Sequence, residues 1–150
     1  MIAAQPQNSP IPPDGAAEPR EAPPAARRIL VVEDEESIRE AVVEFLDDSG
    51  YQAVGAGNGR IALDRLTGDS GPPPCLILLD LMMPVMDGRS FRERQLQIPT
   101  LAEIPVVVFS AHRDLAATAA EMQVAAHLMK PVKLSELLRT IQRHCRTGNA

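Results

Sequence analysis

Five short apolar runs, "RILVVED", "YQAVGAG", "CLILLD", "IPVVVFS" and "AHLMK", are separated by stretches whose apolar residues recur every three or four positions. Runs such as Leu76–Leu79 do not alternate with polar residues, which is the pattern of strands buried on both faces. Between them, Ile38, Val42, Phe45 and Leu46 share one helical face, and Leu134, Leu137, Leu138 and Ile141 share another. Further helices are expected at about 60–67, 88–97 and 112–122. Strand and helix that alternate in this way predict an α/β fold, a doubly wound, five-stranded parallel sheet with helices on both faces and right-handed crossovers. Gly50 stands where the first helix needs a residue free to adopt positive φ, and Asn58-Gly59 marks a turn into the second.

Residues 1–27 are of a different material, with half of the chain's 14 prolines and no apolar periodicity. They are expected to be a disordered tail ahead of one domain over 28–147. A hydrophobic share of 45% supports a real core, and an aromatic share of 3% makes that core aliphatic. A net charge of −5 argues against non-specific nucleic-acid binding. No unbroken apolar window is long enough to span a membrane, and the N-terminus does not read as a secretory signal. Cys75 opens a buried strand and Cys145 lies on a late helix. They could pair, but the expectation is two free thiols in a reducing cytoplasm.

Ligands of such sheets bind beyond the carboxyl ends of the strands, so the residues that end the strands matter most. The first run ends in Glu33 and Asp34, the third in Asp80, the fourth in Ser110, and the fifth in Lys130, followed by Pro131. Two carboxylates about 5 Å apart repel by roughly 3 kcal/mol at an effective dielectric near 20. Three of them need cations, and Lys130 together with a hard, oxygen-ligated divalent ion would suffice. A carboxylate so placed can attack phosphorus and form an aspartyl phosphate, with metal and lysine cancelling charge on the phosphoryl oxygens. Asp80 would be the nucleophile, Glu33 and Asp34 the metal acids, Lys130 the counter-ion and Ser110 the sensor.

"ILVVEDE", "LILLDLMMPVMDG", "IPVVVFSA" and "LMKP", in this order, resemble the receiver domain of response regulators in two-component signalling, over residues 28–146. The resemblance implies a CheY-like, flavodoxin-like sheet of order 2-1-3-4-5. It implies Asp80 as phosphoacceptor, and Mg²⁺ held directly by Asp34, Asp80 and the backbone carbonyl of Met82, with Glu33 acting through water. Ser110 matches the family's switch Ser/Thr. Lys130-Pro131 matches its lysine and cis-proline. His127 stands where the family often has the Tyr or Phe that swings inward, so it is either the switch residue or a half-exposed edge-strand histidine. Val132 takes a place that is often Phe. Gln123 and Val124 replace the usual Gly-Ala, which puts the end of the fourth helix in doubt.

Met82, Met83 and Met86 suggest soft-metal binding less than a loop around a hard-ion site. His112 is read as a solvated residue at a helix start, although it lies near enough to Ser110 to affect attacking water. The acids of "EDEE" would suit a helix N-terminus, but that leaves Asp80 and Lys130 unexplained. The expectation is a cytoplasmic, single-domain phosphoacceptor rather than an enzyme. Its donor would be a histidine kinase or histidine phosphotransfer protein. Its downstream target would be a protein reached through the last two helices and the fifth strand, with no nucleic-acid or membrane partner. Only four residues follow Arg146, and Met1 with its tail argues mildly for a complete chain against the alternative of a segment cut from a longer regulator or hybrid kinase. A binding module of the same fold that is never phosphorylated is the first rival. A phosphatase is the second, weakened by Met82 where a general acid would stand.

Overall fold

A computed structural model describes residues 27–68 and 71–145. The elements are β1 (Arg28–Val32), α1 (Glu36–Asp48), β2 (Gln52–Ala56), α2 (Gly59–Gly68), β3 (Leu76–Leu79), α3 (Gly88–Leu96), α4 (Pro99–Ala102), β4 (Val106–Ser110), α5 (Leu115–Met122), β5 (Ala126–Met129) and α6 (Leu134–His144). All strand pairs are parallel, in the order β2-β1-β3-β4-β5. The register sets Val32 beside Ala56 and Leu79, and Leu79 beside Val108. The carboxyl ends of the central strands therefore finish at one level.

Successive side chains of a strand point to opposite faces, and both faces are covered. Leu30, Val32, Ile77, Leu79, Val106 and Val108 face a core built with α2 to α5. Ile29, Val31, Leu76, Leu78, Val107 and Phe109 face a second core with α1 and α6. This two-sided burial is why the strands read as unbroken apolar runs.

Several local expectations meet the structure directly. Gly50 has φ of 100° after α1, and Asn58 Oδ1 accepts the Ile61 N–H at 2.9 Å to open α2. Asp87 caps α3 by accepting the Ser90 N–H at 2.8 Å. Gly88 must be glycine, because a Cβ there would collide with the backbone oxygen of Asp80 and approach Leu81 Cα to 3.0 Å. That close approach seats the start of α3 beneath the end of β3.

Other expectations change. The fourth predicted helix is α5, which starts at Leu115 instead of 112, and the short α4 was not anticipated. Leu134 is exposed, so the buried stripe of α6 is Leu137 and Ile141. Arg27 belongs to the folded domain, with its guanidinium 4.8 Å above the Tyr51 ring; the predicted tail otherwise lies outside the described residues.

The free-thiol reading of Cys75 and Cys145 is overturned, since the two form a disulfide with Cα atoms 5.1 Å apart. The reason is topological. A helix that follows a strand packs back antiparallel to it, so α6 after β5 ends where β3 begins, and Cys75 lies just ahead of β3 rather than within it.

The doubtful end of α5 also resolves. Gln123 adopts the left-handed conformation without glycine (φ 57°). Arg92, buried in α3, donates from Nε to the Met122 carbonyl at 3.0 Å and from Nη2 to that of Gln123 at 2.7 Å. Its Nη1 donates to Gln95 Oε1 at 2.8 Å. Gln95 Nε2 in turn donates to the carbonyls of Leu101 and Ile104.

Candidate functional site

The carboxyl ends of β1, β3, β4 and β5 deliver Glu33, Asp80, Ser110 and Lys130 to one pocket. Backbone bonds fix the first two in place: the Glu33 N–H donates to the Ala56 carbonyl and the Asp80 N–H to that of Val32, both at 3.0 Å. Glu33, Asp80 and Ser110 are buried, whereas Asp34 is exposed at the mouth. One carboxylate oxygen from each of Glu33, Asp34 and Asp80 lies within 4.8 Å of the others.

Lys130 Nζ bridges the pocket, 2.7 Å from Glu33 Oε1 and 3.5 Å from Asp80 Oδ2. It also sits 4.9 Å from the centroid of the Phe109 ring, a contact that favours a cation. The Lys130 N–H donates to the Ser110 carbonyl at 2.9 Å, and the peptide to Pro131 is cis. Glu33 Oε2 accepts the Glu35 N–H at 3.0 Å, so both Glu33 oxygens have partners. Asp80 Oδ1 faces the Met82 N–H at 3.4 Å.

One ammonium among three carboxylates leaves the pocket electron-rich. Burial pushes the Glu33 carboxyl up, against the opposing pull of Lys130 and the Glu35 N–H. Burial does the same to Asp80, with Lys130 opposing and Asp34 adding to the rise. Burial alone would lower the Lys130 ammonium, but its bonds to Glu33 and the charge of Asp80 carry it above the ordinary value. A hard divalent cation with oxygen ligands is the group that fits such a donor set.

Met82 follows β3 in the loop with its side chain in solvent, while Met83 turns into the core and Met86 packs against it. The three methionines thus offer no common sulfur site. His127 is exposed on β5, beside Val108 in register. His112 is half-buried and structural: its N–H donates to Ser110 Oγ at 3.1 Å, and its Nδ1 accepts the Asp114 N–H at 3.0 Å. A groove of about 740 Å³ beside Arg28, α2 and Pro72–Pro74 lies toward the amino ends of the strands, away from this chemistry.

Sequence reasoning missed Arg39. Its Nη1 donates to the Glu33 carbonyl at 2.9 Å, and its aliphatic stem fills the space over Gly55, where a Cβ would stand 2.9 Å from Arg39 Cδ. The available signal was a glycine inside a strand, which often marks a close approach.

The response regulator receiver domain model matches residues 29–142. Among curated proteins, the transcriptional regulatory protein PdtaR of Mycobacterium tuberculosis is 34% identical over 119 residues, covering 77% of this chain and 55% of that protein. Sporulation initiation phosphotransferase F of Bacillus subtilis is 29% identical, covering 78% of this chain and 92% of that protein. The chain spans about half the length of PdtaR and of the response regulator MprA of Mycolicibacterium vanbaalenii. Among solved structures, chemotaxis protein CheY4 of Vibrio cholerae superposes with a TM-score of 0.71 at 28% identity, over 79% of this chain and 98% of that one. The response regulator TrrA of Thermotoga maritima, solved in complex with Mg²⁺-BeF, gives 0.68 at 25% identity, over 78% of this chain and 97% of that one. With its motifs, sheet order and acid pocket matching together, the chain belongs to the CheY-like response regulator receiver domains of two-component signalling.

Proposed function

We propose that Asp80 accepts a phosphoryl group from a phosphohistidine on a histidine kinase or histidine phosphotransfer protein. The observation that carries this reading is Lys130 Nζ, held between Glu33 and Asp80 at 2.7 and 3.5 Å. A buried carboxylate paired with a movable cation is suited to receive three more anionic oxygens. An Asp80 oxygen attacks phosphorus in line, the P–N bond breaks, and the imidazole leaves with the electron pair. Lys130 then turns from Asp80 to the phosphoryl oxygens, and the Ser110 hydroxyl donates to another of them.

Mg²⁺, as in the TrrA complex, would cancel phosphoryl charge from a site made by Asp34, Asp80 and the Met82 carbonyl. Glu33, whose oxygens already serve Lys130 and Glu35, would reach the ion through water. The chain acts as a signalling phosphoacceptor, with the face of α5, β5 and α6 offered to a downstream protein and His127 as the candidate switch residue on it. No helix of the described residues is long and apolar enough to cross a membrane, and the proposed setting is the cytoplasm.

The test is intact mass after incubation with acetyl phosphate and Mg²⁺. The wild-type protein should gain one phosphoryl group, lost on treatment with hydroxylamine, and Asp80→Asn should gain none. A wild-type protein that stays unmodified would make this fold a pure binding module.

A further inference from the structure

We propose that Cys75 and Cys145 form a reversible thiol–disulfide site that exchanges with low-molecular-weight disulfides and controls the order of the last turn of α6. The cysteines are 70 residues apart in sequence, and their Cα separation of 5.1 Å lies within the span a disulfide requires. Cys75 is half-buried at the base of β3, with its N–H on the Arg28 carbonyl at 2.8 Å. Cys145 is buried at the C-cap of α6, with its N–H on the Ile141 carbonyl at 2.7 Å.

Three features favour reversibility over a permanent staple. First, the domain has a continuous core on both faces of its sheet, and small disulfide-dependent folds lack that. Second, both sulfurs border the apolar α1–α6 core, where thiols pack as small hydrophobes and leave the reduced protein folded. Third, exposure is unequal. Cys75 is within reach of a solution disulfide and Cys145 is not, as a two-step exchange needs.

The Cys75 thiolate attacks one sulfur of R–S–S–R, forming a mixed disulfide and releasing R–S⁻. The Cys145 thiolate then attacks the Cys75 sulfur, closing the bridge and releasing the second R–S⁻. Two protons pass to solvent, and two electrons to the small disulfide. Oxidation ties the end of α6 to β3, the strand that runs into Asp80. In the dithiol, Cys145 is held only by its packing and by its N–H on the Ile141 carbonyl, so the turn beyond Ile141 opens more often. This turn lies on the face assigned above to a downstream protein, so a role in output rests on that reading, whereas the chemistry does not.

The experiment uses the full chain without any phosphoryl donor, so its outcome is independent of phosphotransfer. The protein is equilibrated with glutathione and glutathione disulfide at graded ratios, quenched with N-ethylmaleimide and weighed. Molecules should carry either two labels or none, with a midpoint inside the glutathione range. Amide exchange at Cys145 should be at least about 5-fold faster in the reduced form, with Leu78 unchanged. Cys145→Ser should accumulate one glutathione on Cys75 faster than Cys75→Ser does on Cys145, which must wait for the turn to open. A bridge that survives millimolar dithiothreitol without denaturant, thiols that never pair in excess glutathione disulfide, or equal exchange in the two forms would overturn the proposal.

Discussion

Lys130 lies closer to Glu33 than to Asp80, 2.7 Å against 3.5 Å. Its stronger bond is therefore to an acid that takes no covalent part in the proposed reaction. Glu33 parks the ammonium beside the acceptor without neutralising it, so Asp80 keeps an oxygen available for attack. The arrangement leaves the pocket with excess negative charge, and several measurable consequences follow from that excess.

Mg²⁺ should stabilise the fold, because it relieves repulsion among Glu33, Asp34 and Asp80. At 100 times its dissociation constant, an ion that binds only the folded state contributes about 2.7 kcal/mol. Asp80→Asn should raise the melting temperature in EDTA, since Lys130 retains Glu33, and should shrink the Mg²⁺ increment. A melting temperature unmoved across a millimolar Mg²⁺ titration would refute the charge argument.

The pH dependence has a definite sign. Burial raises the Glu33 and Asp80 carboxyls above their ordinary values of 4.5 and 3.8, so the folded state holds protons that the unfolded chain releases. The resulting penalty on folding is fully present above the raised values and disappears as pH falls through the ordinary ones. Lys130, with its raised value, contributes stability below 10.5 that is lost as pH rises through the folded value. Urea denaturation in EDTA should show the Asp80→Asn advantage greatest near neutrality and narrowing toward pH 4. An advantage that widens in acid would reverse the assignment.

Arg39 should act on the acid turn through its carbonyl contact. Arg39→Met keeps the stem over Gly55 but removes the donor to the Glu33 carbonyl. It should cost about 1 kcal/mol of stability and weaken Mg²⁺ binding measured by calorimetry. Gly55→Ala should displace the stem and copy part of this loss, but do little in an Arg39→Ala background. Strictly additive effects in that double-mutant cycle would show that the two residues are uncoupled.

Arg92 donates to three oxygens, the Met122 and Gln123 carbonyls and Gln95 Oε1. Arg92→Leu should cost about 2–3 kcal/mol, because buried acceptors lose their donor. Gln123→Gly should gain about 0.5–1 kcal/mol, the relief of the left-handed backbone less the entropy that glycine loses on folding, and chemical denaturation reads both. A neutral Arg92→Leu would mean that water serves those carbonyls equally well.

How much of this was visible beforehand depends on the range of each interaction. The parallel sheet and the pocket residues were legible because alternation and strand ends are local patterns, whereas the strand order came only with the resemblance to the receiver family. Leu76–Leu79 and Asp80 needed only their neighbours to be read. Arg92 was not legible, because an arginine on a helix usually reaches water, and its partners lie about 30 positions away. Cys145 was misread for a related reason. Its distance from Cys75 along the chain conceals that α6 returns to the base of β3.

Ser110 is tied to the start of α5 by a short relay that bypasses His127. The His112 N–H donates to Ser110 Oγ, and His112 Nδ1 accepts the N–H of Asp114, which stands at the N-cap position of α5 without a side-chain cap bond of its own. If the Ser110 hydroxyl turns to donate to a phosphoryl oxygen, it moves away from the His112 N–H, and the turn that holds the helix start loosens. Beryllofluoride with Mg²⁺ should therefore speed amide exchange at His112 and Asp114 in the wild-type protein. Ser110→Ala removes the acceptor beforehand, so these amides should exchange faster at rest and respond little to beryllofluoride. His112→Ala should cost about 0.5–1 kcal/mol as one lost hydrogen bond and free the Asp114 amide, yet leave phosphoryl uptake by Asp80 intact. His127→Ala should leave the exchange response at His112 and Asp114 unchanged. If His127→Ala abolishes that response while Ser110→Ala preserves it, the signal runs through β5, and the relay only anchors the loop.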